Sequence, residues 1–399
     1  MKRVNIIFAT ILLLAGCGGN RQVYESEGFI TIDVTTSFPK KELILQDFMD
    51  VEYISLETDG EFYCQGMVQA IGKDVIIVTN QVRDGDIFIF ERNGKGLRKI
   101  NRLGRGGDEY QNISGIILDE ENNEMFINDA PSNRIMVYDL YGRFKRSLRY
   151  NEGSYYIDVF TFDTENLICR ENSFAFEQGT VEMPPFIIIS KQDGSIVNDI
   201  QIPFEQKKST STLIVNGQSV TVMPTDATGI TSISVRNIRY FPIIPHHDSW
   251  ILTEPSSDTV FRFLQDYNMT PLMVRTPSVQ SMNPEVFLFP KIITDRYYLM
   301  EIVKKDMTIN EFPKFDLMYD RQEQTFYEYT LYNSDYSDKR HVGMSLRPIN
   351  NEIAFWQKIE ADELVEDYEK GVLKDRLKEI AAGLKEEDNP VVMLVKYKK

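Results

Sequence analysis

The sequence predicts an all-β fold, a six-bladed β-propeller closed by its N- and C-terminal strands, with a helical insertion in the last blade. Three observations predict it. Residues 97–148 hold four short strand-forming runs separated by turn residues, the grammar of one propeller blade. Comparable units recur at intervals of about 45 to 55 residues, as expected of a propeller array. A lone strand pattern stands at each end of the folded region, residues 29–35 and 391–396, and a ring of blades needs such strands to close.

The chain begins with Met1, Lys2 and Arg3, an apolar run over 4–14, and Leu14-Ala15-Gly16-Cys17. A positive start followed by an apolar run too short to span a bilayer reads as a secretory signal over 1–16. Small residues before Cys17 read as a bacterial lipobox, in which the thiol is diacylated, the chain is cut before it and the new terminus is acylated. Several acyl chains give stable anchoring, so a lipidated tether is expected over 17–28 and the propeller over 29–399. The expected place is the bacterial cell envelope, lipid-anchored in the outer membrane on its periplasmic or surface face.

The formal charge of −16 becomes −18 once Lys2 and Arg3 are removed. An acidic chain with no basic stripe repels phosphate backbones, which argues against nucleic acid as a partner. Beyond Cys17 only Cys64 and Cys169 remain. They fall in different blades of this reading, too far apart for the roughly 7 Å reach of a disulfide, and read as two buried thiols.

In chain order, 29–35 alternates apolar and polar residues without a nearby hairpin partner. The first blade takes 51–57, 68–79, and the hairpin 87–90 and 97–101 across Asn93-Gly94, a pair that supplies positive φ in tight turns. The second takes 113–119, 125–128, 135–138 and 144–149, after a glycine-rich turn at Gly104, Gly106 and Gly107. The third takes 156–162, 167–170, 186–190 and 196–202. A Ser/Thr-rich insertion over about 204–238, with its own hairpin around Asn216-Gly217, interrupts the fourth, which resumes at 240–244, 250–253, 259–263 and 273–275. The fifth takes 291–294, 297–303, 314–319 and 325–331, and the sixth begins with 343–348 and 352–358. Residues 361–387 carry apolar residues at helical spacing, with Gly371 placed to divide them. Asn389-Pro390 ends the helical stretch, and 391–396 is expected to lie in the same sheet as 29–35, stitching the first and last segments into one blade. Six blades are favoured; seven results if the insertion is counted as a degenerate blade.

The stretch 104–144 resembles an NHL-type repeat, through Gly104, Gly106, Gly107 and Asp108, then Gly115 to Asp119, Met125 to Asp129, Asn133 to Asp139, and Gly142-Arg143-Phe144. More broadly, the chain resembles the six-bladed propeller lipoproteins of Gram-negative bacteria that carry a family-of-unknown-function label, on the turn 104–110, on Ser257-Asp258-Thr259-Val260-Phe261 and on the helix-plus-strand tail. That resemblance implies a cell-envelope propeller without an established reaction.

The chemistry-bearing residues point away from an enzyme. There is no G-x-S-x-G elbow, no H-E-x-x-H, no phosphate loop and no sialidase box. A channel-bound cation would need several oxygen ligands; Asn128, Asp129, Asp119 and Asp163 are the nearest candidates, each beside a turn whose backbone it is expected to bond. His246 and His247 are adjacent, so on a strand they would face opposite sides, and His341 stands alone. No catalytic residue, metal ligand or cofactor is assigned. Aromatic residues at turns suit glycan rings and peptide side chains, which makes Tyr110, Tyr155, Tyr156 and Tyr240, with Asn216 of the insertion hairpin, the candidate ligand contacts. The expected function is a lipid-anchored envelope module binding a protein or glycan, with a channel-centred metal-dependent hydrolase or lyase as the alternative.

Overall fold

A computed structural model describes residues 28–152, 154–173, 185–216, 218–220, 231–306, 311–343 and 348–398. Within them six sheets form a ring, and a separate small sheet belongs to the insertion. Blades one to five each carry four antiparallel strands joined in sequence. Blade one is Met67–Ile71, Val75–Thr79, Asp86–Glu91 and Gly96–Asn101; blade two is Gly115–Asp119, Glu124–Asp129, Arg134–Asp139 and Phe144–Arg149. Blade three is Ser154–Thr161, Asn166–Ser173, Phe186–Ser190 and Ile196–Ile200, blade four begins at Ile243–His246 and ends at Met269–Thr276, and blade five runs from Val286–Ile293 to Thr325–Tyr332.

The strands form where they do because blades pack face to face, so a middle strand is buried on both sides. Val75–Thr79 (VIIVT) is buried at every position, and an unbroken apolar run replaces the alternation of a half-exposed strand. Among the described residues one apolar cluster fills each seam between neighbouring blades. Ile76, Phe88 and Leu394 occupy the seam between blades six and one; Ile77, Ile127 and Tyr138 that between one and two; Phe126, Tyr156 and Cys169 that between two and three. The remaining seams are filled in the same way. Cys64 and Cys169 are free, buried thiols in different seams.

Closure uses the two ends of the chain, but not the expected pair. Val391–Tyr397 lies between Ile353–Ile359 and Met49–Ser55 in blade six, with Met393 opposite Tyr53. Ile30–Asp33 instead runs parallel to Met269–Thr276 as a fifth, outermost strand of blade four. Lys40–Ile44 does the same on Thr325–Tyr332 of blade five. The N-terminal segment is thus a belt around the rim of blades four and five before it becomes the outer strand of blade six. The stretch read as the opening strand of blade one belongs to blade six, and blade one starts at Met67.

The helical stretch resolves into Ala361–Glu369 and Asp375–Ala381, divided at Gly371, whose φ is +69°. Leu364, Leu377 and Ala381 pack with Leu43, Met49 and Tyr53 in the seam between blades five and six, so the helices brace the outer strands. The insertion forms a sheet of Ser211–Val215, Gln218–Val220 and Ile233–Asn237, tied to the ring where Ser256 Oγ accepts from the Lys208 N–H at 2.8 Å. At Asn93-Gly94 only Gly94 has positive φ, +91°; a Cβ there would run into the backbone carbonyl of Ser55, so this turn also seats blade one against blade six.

Candidate functional site: the channel mouth

The innermost strands converge on a central cavity of about 240 Å³. Its lining is mixed, about as polar as apolar: Ile71 comes from blade one, Ile116, Ile117 and Leu118 from blade two, Val159, Phe160 and Phe162 from blade three, and Trp250 from blade four. Gln69, Thr161, Asn350 and Asn351 add polar groups. Trp250 is 2% exposed and stacks on Phe162, ring centroids 4.4 Å apart, yet among the described residues its indole N–H finds no acceptor. An indole N–H usually finds a partner when buried.

The cavity opens into a wider mouth of about 490 Å³, with which it shares Ile71, Leu118, Thr161, Asn350 and Asn351. The mouth is built from the turns that follow the first strands of blades one, two and three, from Lys191 after Phe186–Ser190 of blade three, and from residues 350–352 just before Ile353–Ile359 of blade six. These short turns bring Lys73, Asp119, Glu120, Glu121, Asp163, Thr164, Lys191 and Glu352 to one rim.

Part of that rim holds the ring together. Glu120 accepts the backbone N–H groups of Lys73 and Asp74 at 2.6 and 2.9 Å, joining blade two to blade one. Lys191, 3% exposed, donates to Asp119 Oδ2 at 2.8 Å and to the Asp163 carbonyl at 2.9 Å. These bonds hold the Asp119 carboxyl below its ordinary range despite burial, which acts in the opposite direction. Asp163 accepts from the N–H groups of Glu165 and Asn166, and Asn350 accepts from those of Glu352 and Ile353. Other rim side chains are left over. Lys73, Glu121, Thr161, Asn351 and Glu352 are exposed, and among the described residues their side chains make no hydrogen bond or ion pair. They are the groups with capacity for a ligand.

The sequence-derived ligand contacts lie elsewhere: none of Tyr110, Tyr155, Tyr156, Tyr240 and Asn216 lines the cavity or its mouth, whereas Asp119 and Asp163, considered for a cation, stand on the rim. Tyr110 is fully buried; its hydroxyl donates to the Gly85 carbonyl at 2.6 Å and accepts the Arg102 N–H at 3.0 Å, and burial pushes it up to about 12. Tyr156 is buried and accepts the Asn151 N–H at 3.1 Å, with half-buried Tyr155 against the same seam. Tyr240 stacks on Phe289 at 4.6 Å beneath the insertion. Asn216 sits at the hairpin turn with φ +51° and accepts from the Thr231 N–H at 2.8 Å. Cys17 lies outside the described residues.

The four oxygen-bearing residues considered for a cation serve the backbone or neighbouring side chains. Asp129 accepts from the N–H groups of Gln111 and Asn112, and Asn128 donates to the Tyr156 carbonyl; Asp119 and Asp163 are placed above. Among the described residues no group of three or more His, Cys, Asp or Glu side chains gathers in a way that could hold a metal ion. His246 and His247 do not face opposite sides, since their rings meet edge to face at 4.5 Å. His247 takes a left-handed φ of +50° where the strand ends, which removes the strand alternation at that step. Burial, then the neighbouring His247, lowers His246 to about 4.

Of the rim, sequence reasoning names only Asp119 and Asp163; it misses the others because most sit in short turns or at strand ends that look like ordinary repeat punctuation. The signal that finds them is positional: equivalent turns of successive blades gather at one mouth.

Comparison with known proteins agrees with the ring. A crystal structure of a protein from Bacteroides fragilis, described as a "putative exported protein", superposes with a TM-score of 0.56 at 14% identity, over 92% of this chain and 99% of that one. A DUF4221-family member from Bacteroides vulgatus gives 0.45 at 9% identity, over 89% and 99%. Virginiamycin B lyase from Staphylococcus aureus gives 0.37 at 11%, over 88% and 100%. The last two are too distant to carry an argument, and the first speaks for the fold alone. No curated protein matches the sequence significantly. The model of the family described as "Domain of unknown function (DUF4934)" matches residues 29–396, nearly the whole folded region, and the chain belongs to that family.

Proposed function

We propose that this chain is a lipid-anchored module of the bacterial cell envelope that binds a protein or glycan ligand at the channel mouth and catalyses no reaction. The observation that carries the reading is the continuous cavity and mouth, where exposed Lys73, Glu121, Thr161, Asn351 and Glu352 are not used by the fold. Concave sites with apolar walls and a few convergent polar groups are where propellers and other scaffolds take ligands. The cavity is small beside the roughly 300 to 1,000 Å³ of pockets that enclose whole small molecules. It therefore suits one group of a larger ligand, with the rest resting on the mouth.

Placement in the envelope rests on the signal-like start, on Cys17 after Leu14-Ala15-Gly16, and on the exported description of the Bacteroides fragilis protein. Among the described residues no helix is long and apolar enough to cross a membrane. The acidic charge disfavours nucleic acid, so the partners of this reading are the membrane, through the N-terminal lipid, and an envelope ligand.

Two plugging variants test the site. Asn351→Trp and Thr161→Trp each place a large ring on an exposed position of the mouth. Glycan and peptide arrays probed with the mature chain, made with Cys17→Ser for solubility, should give hits that both variants lose. Hits that survive both plugs would refute the channel mouth as the site.

A further inference from the structure

We infer that the occupant of this mouth is a cationic peptide segment of a partner protein, carrying a large apolar side chain next to its basic residues. The inference rests on the channel-mouth reading above and names the ligand class. Two properties of the site combine to give it. The cavity lining includes Ile71, Ile116, Ile117, Leu118, Val159 and Phe162, whose accessible hydrocarbon gains from burial against an apolar side chain, beside polar surface that can bond the backbone of the same segment. The rim is charged. It carries five carboxylates, Asp119, Glu120, Glu121, Asp163 and Glu352, against two lysines; Asp119 pairs with Lys191 and Glu120 and Asp163 serve backbone N–H groups, so the uncommitted groups are Glu121 and Glu352 beside one lysine, Lys73.

A cleft whose charges sum to one sign, here negative, attracts groups of the opposite sign. Glu121 and Glu352 stand on different blades of the rim, both exposed and without a partner among the described residues, so they can take two cationic groups or one between them. The indole N–H of Trp250, without an acceptor among the described residues and in a residue 2% exposed on the cavity wall, supplies a donor for a carbonyl of the inserted segment. An apolar anchor below and a positive flank above is the complement of this surface. Interfaces of this kind are dominated by the anchor, while the charges set specificity and association rate.

The test pans a random peptide library, displayed on phage, on the mature chain carrying Cys17→Ser, and probes an array of neutral oligosaccharides in parallel. Circular dichroism and thermal melting first establish that each variant is folded. The inference expects enriched peptides that pair Lys or Arg with Phe, Leu, Ile or Met. Their binding should be lost in both Asn351→Trp and Thr161→Trp, should fall about tenfold in the double variant Glu121→Gln/Glu352→Gln, and should weaken with added salt. Enriched peptides without basic residues, or basic ones indifferent to the Gln pair, overturn the cationic class; so does oligosaccharide binding abolished by the plugs, which leaves the mouth as the site. Binding insensitive to both plugs, or no peptide enriched on the parent over the plugged chains, overturns the inference, and the former removes the mouth reading with it.

Discussion

The carboxylate of Glu120 in blade two lies against Gly72 of blade one, where it accepts the next three backbone N–H groups, those of Lys73, Asp74 and Val75, at 2.6, 2.9 and 3.2 Å. A Cβ at Gly72 would overlap the carboxyl group itself. One side chain thus satisfies a whole turn of the neighbouring blade and fixes the spacing of the rim.

Removing that clamp leaves the turn donors without their partner, at about 1 to 3 kcal/mol for those shielded from water. Glu120→Ala should therefore lower stability by roughly that amount, and Gly72→Ala should do the same by displacing the carboxylate. The double variant should cost clearly less than the two losses added, because alanine at 120 makes room for the new methyl. Urea unfolding of the four proteins measures the coupling; strict additivity would mean that the two residues act separately.

Lys191 and Asp119 form a buried pair, with side chains 4% and 6% exposed. Lys191→Met strands the Asp119 charge between blades two and three, at about 3 to 5 kcal/mol. Adding Asp119→Asn should recover part of the loss. Chemical denaturation checks this, and an unaltered midpoint in Lys191→Met would contradict the pairing.

The N-terminal belt makes the propeller dependent on residues that precede blade one. Tyr53, on the outer strand of blade six, donates to Asp335 Oδ2 at 2.7 Å and accepts from Asn333 Nδ2 at 2.7 Å, and Asn333 is buried. Tyr53→Phe removes both bonds without changing ring shape and should cost about 1 to 3 kcal/mol. Truncation to residue 57 deletes that outer strand and exposes the edge of Val391–Tyr397, and the product should be insoluble; truncation to residue 35 removes only the fifth strand of blade four and should leave a folded, less stable ring. Size-exclusion chromatography and melting curves of the two products distinguish the outcomes.

His246 gives the fold a dependence on acid. Burial lowers it from 6.5 to about 4, with His247 and Arg262 acting in the same direction and Asp295 against them. The unfolded chain takes up the proton first as pH falls, so the stability held by the neutral ring is complete above about pH 6.5 and is lost progressively toward pH 4. His246→Gln should flatten that part of the curve. Melting temperatures of the two proteins, recorded across this range, should converge as pH falls; parallel curves would show that His246 does not carry the dependence.

What was legible in the sequence follows the range of the physics that writes it. Turn residues and strand runs act locally, so the blades around Gly94, Asp119 and Gly142 could be read directly, as could the break of the helices at Gly371. Partner choice is not local. The alternation in Ile30–Asp33 specifies a buried face, yet nothing in it distinguishes Val391–Tyr397 from Met269–Thr276 as neighbour, and the parallel outer strand was assigned to the wrong sheet. The rim illustrates the same limit. Glu121 and Glu352 are ordinary turn residues that become a site only when the ring sets their blades around one opening.

The central claim is that ligand meets the protein at the mouth formed by turns 72–74, 119–122, 161–165 and 350–352. Hydrogen exchange of the mature chain, with and without a saturating peptide or glycan taken from the binding screens, tests it most directly. Slowed exchange confined to those four turns and the adjoining inner strands is the expected result. Protection confined to the insertion sheet, Ser211–Val215 and Ile233–Asn237, with the four turns unchanged, would contradict it.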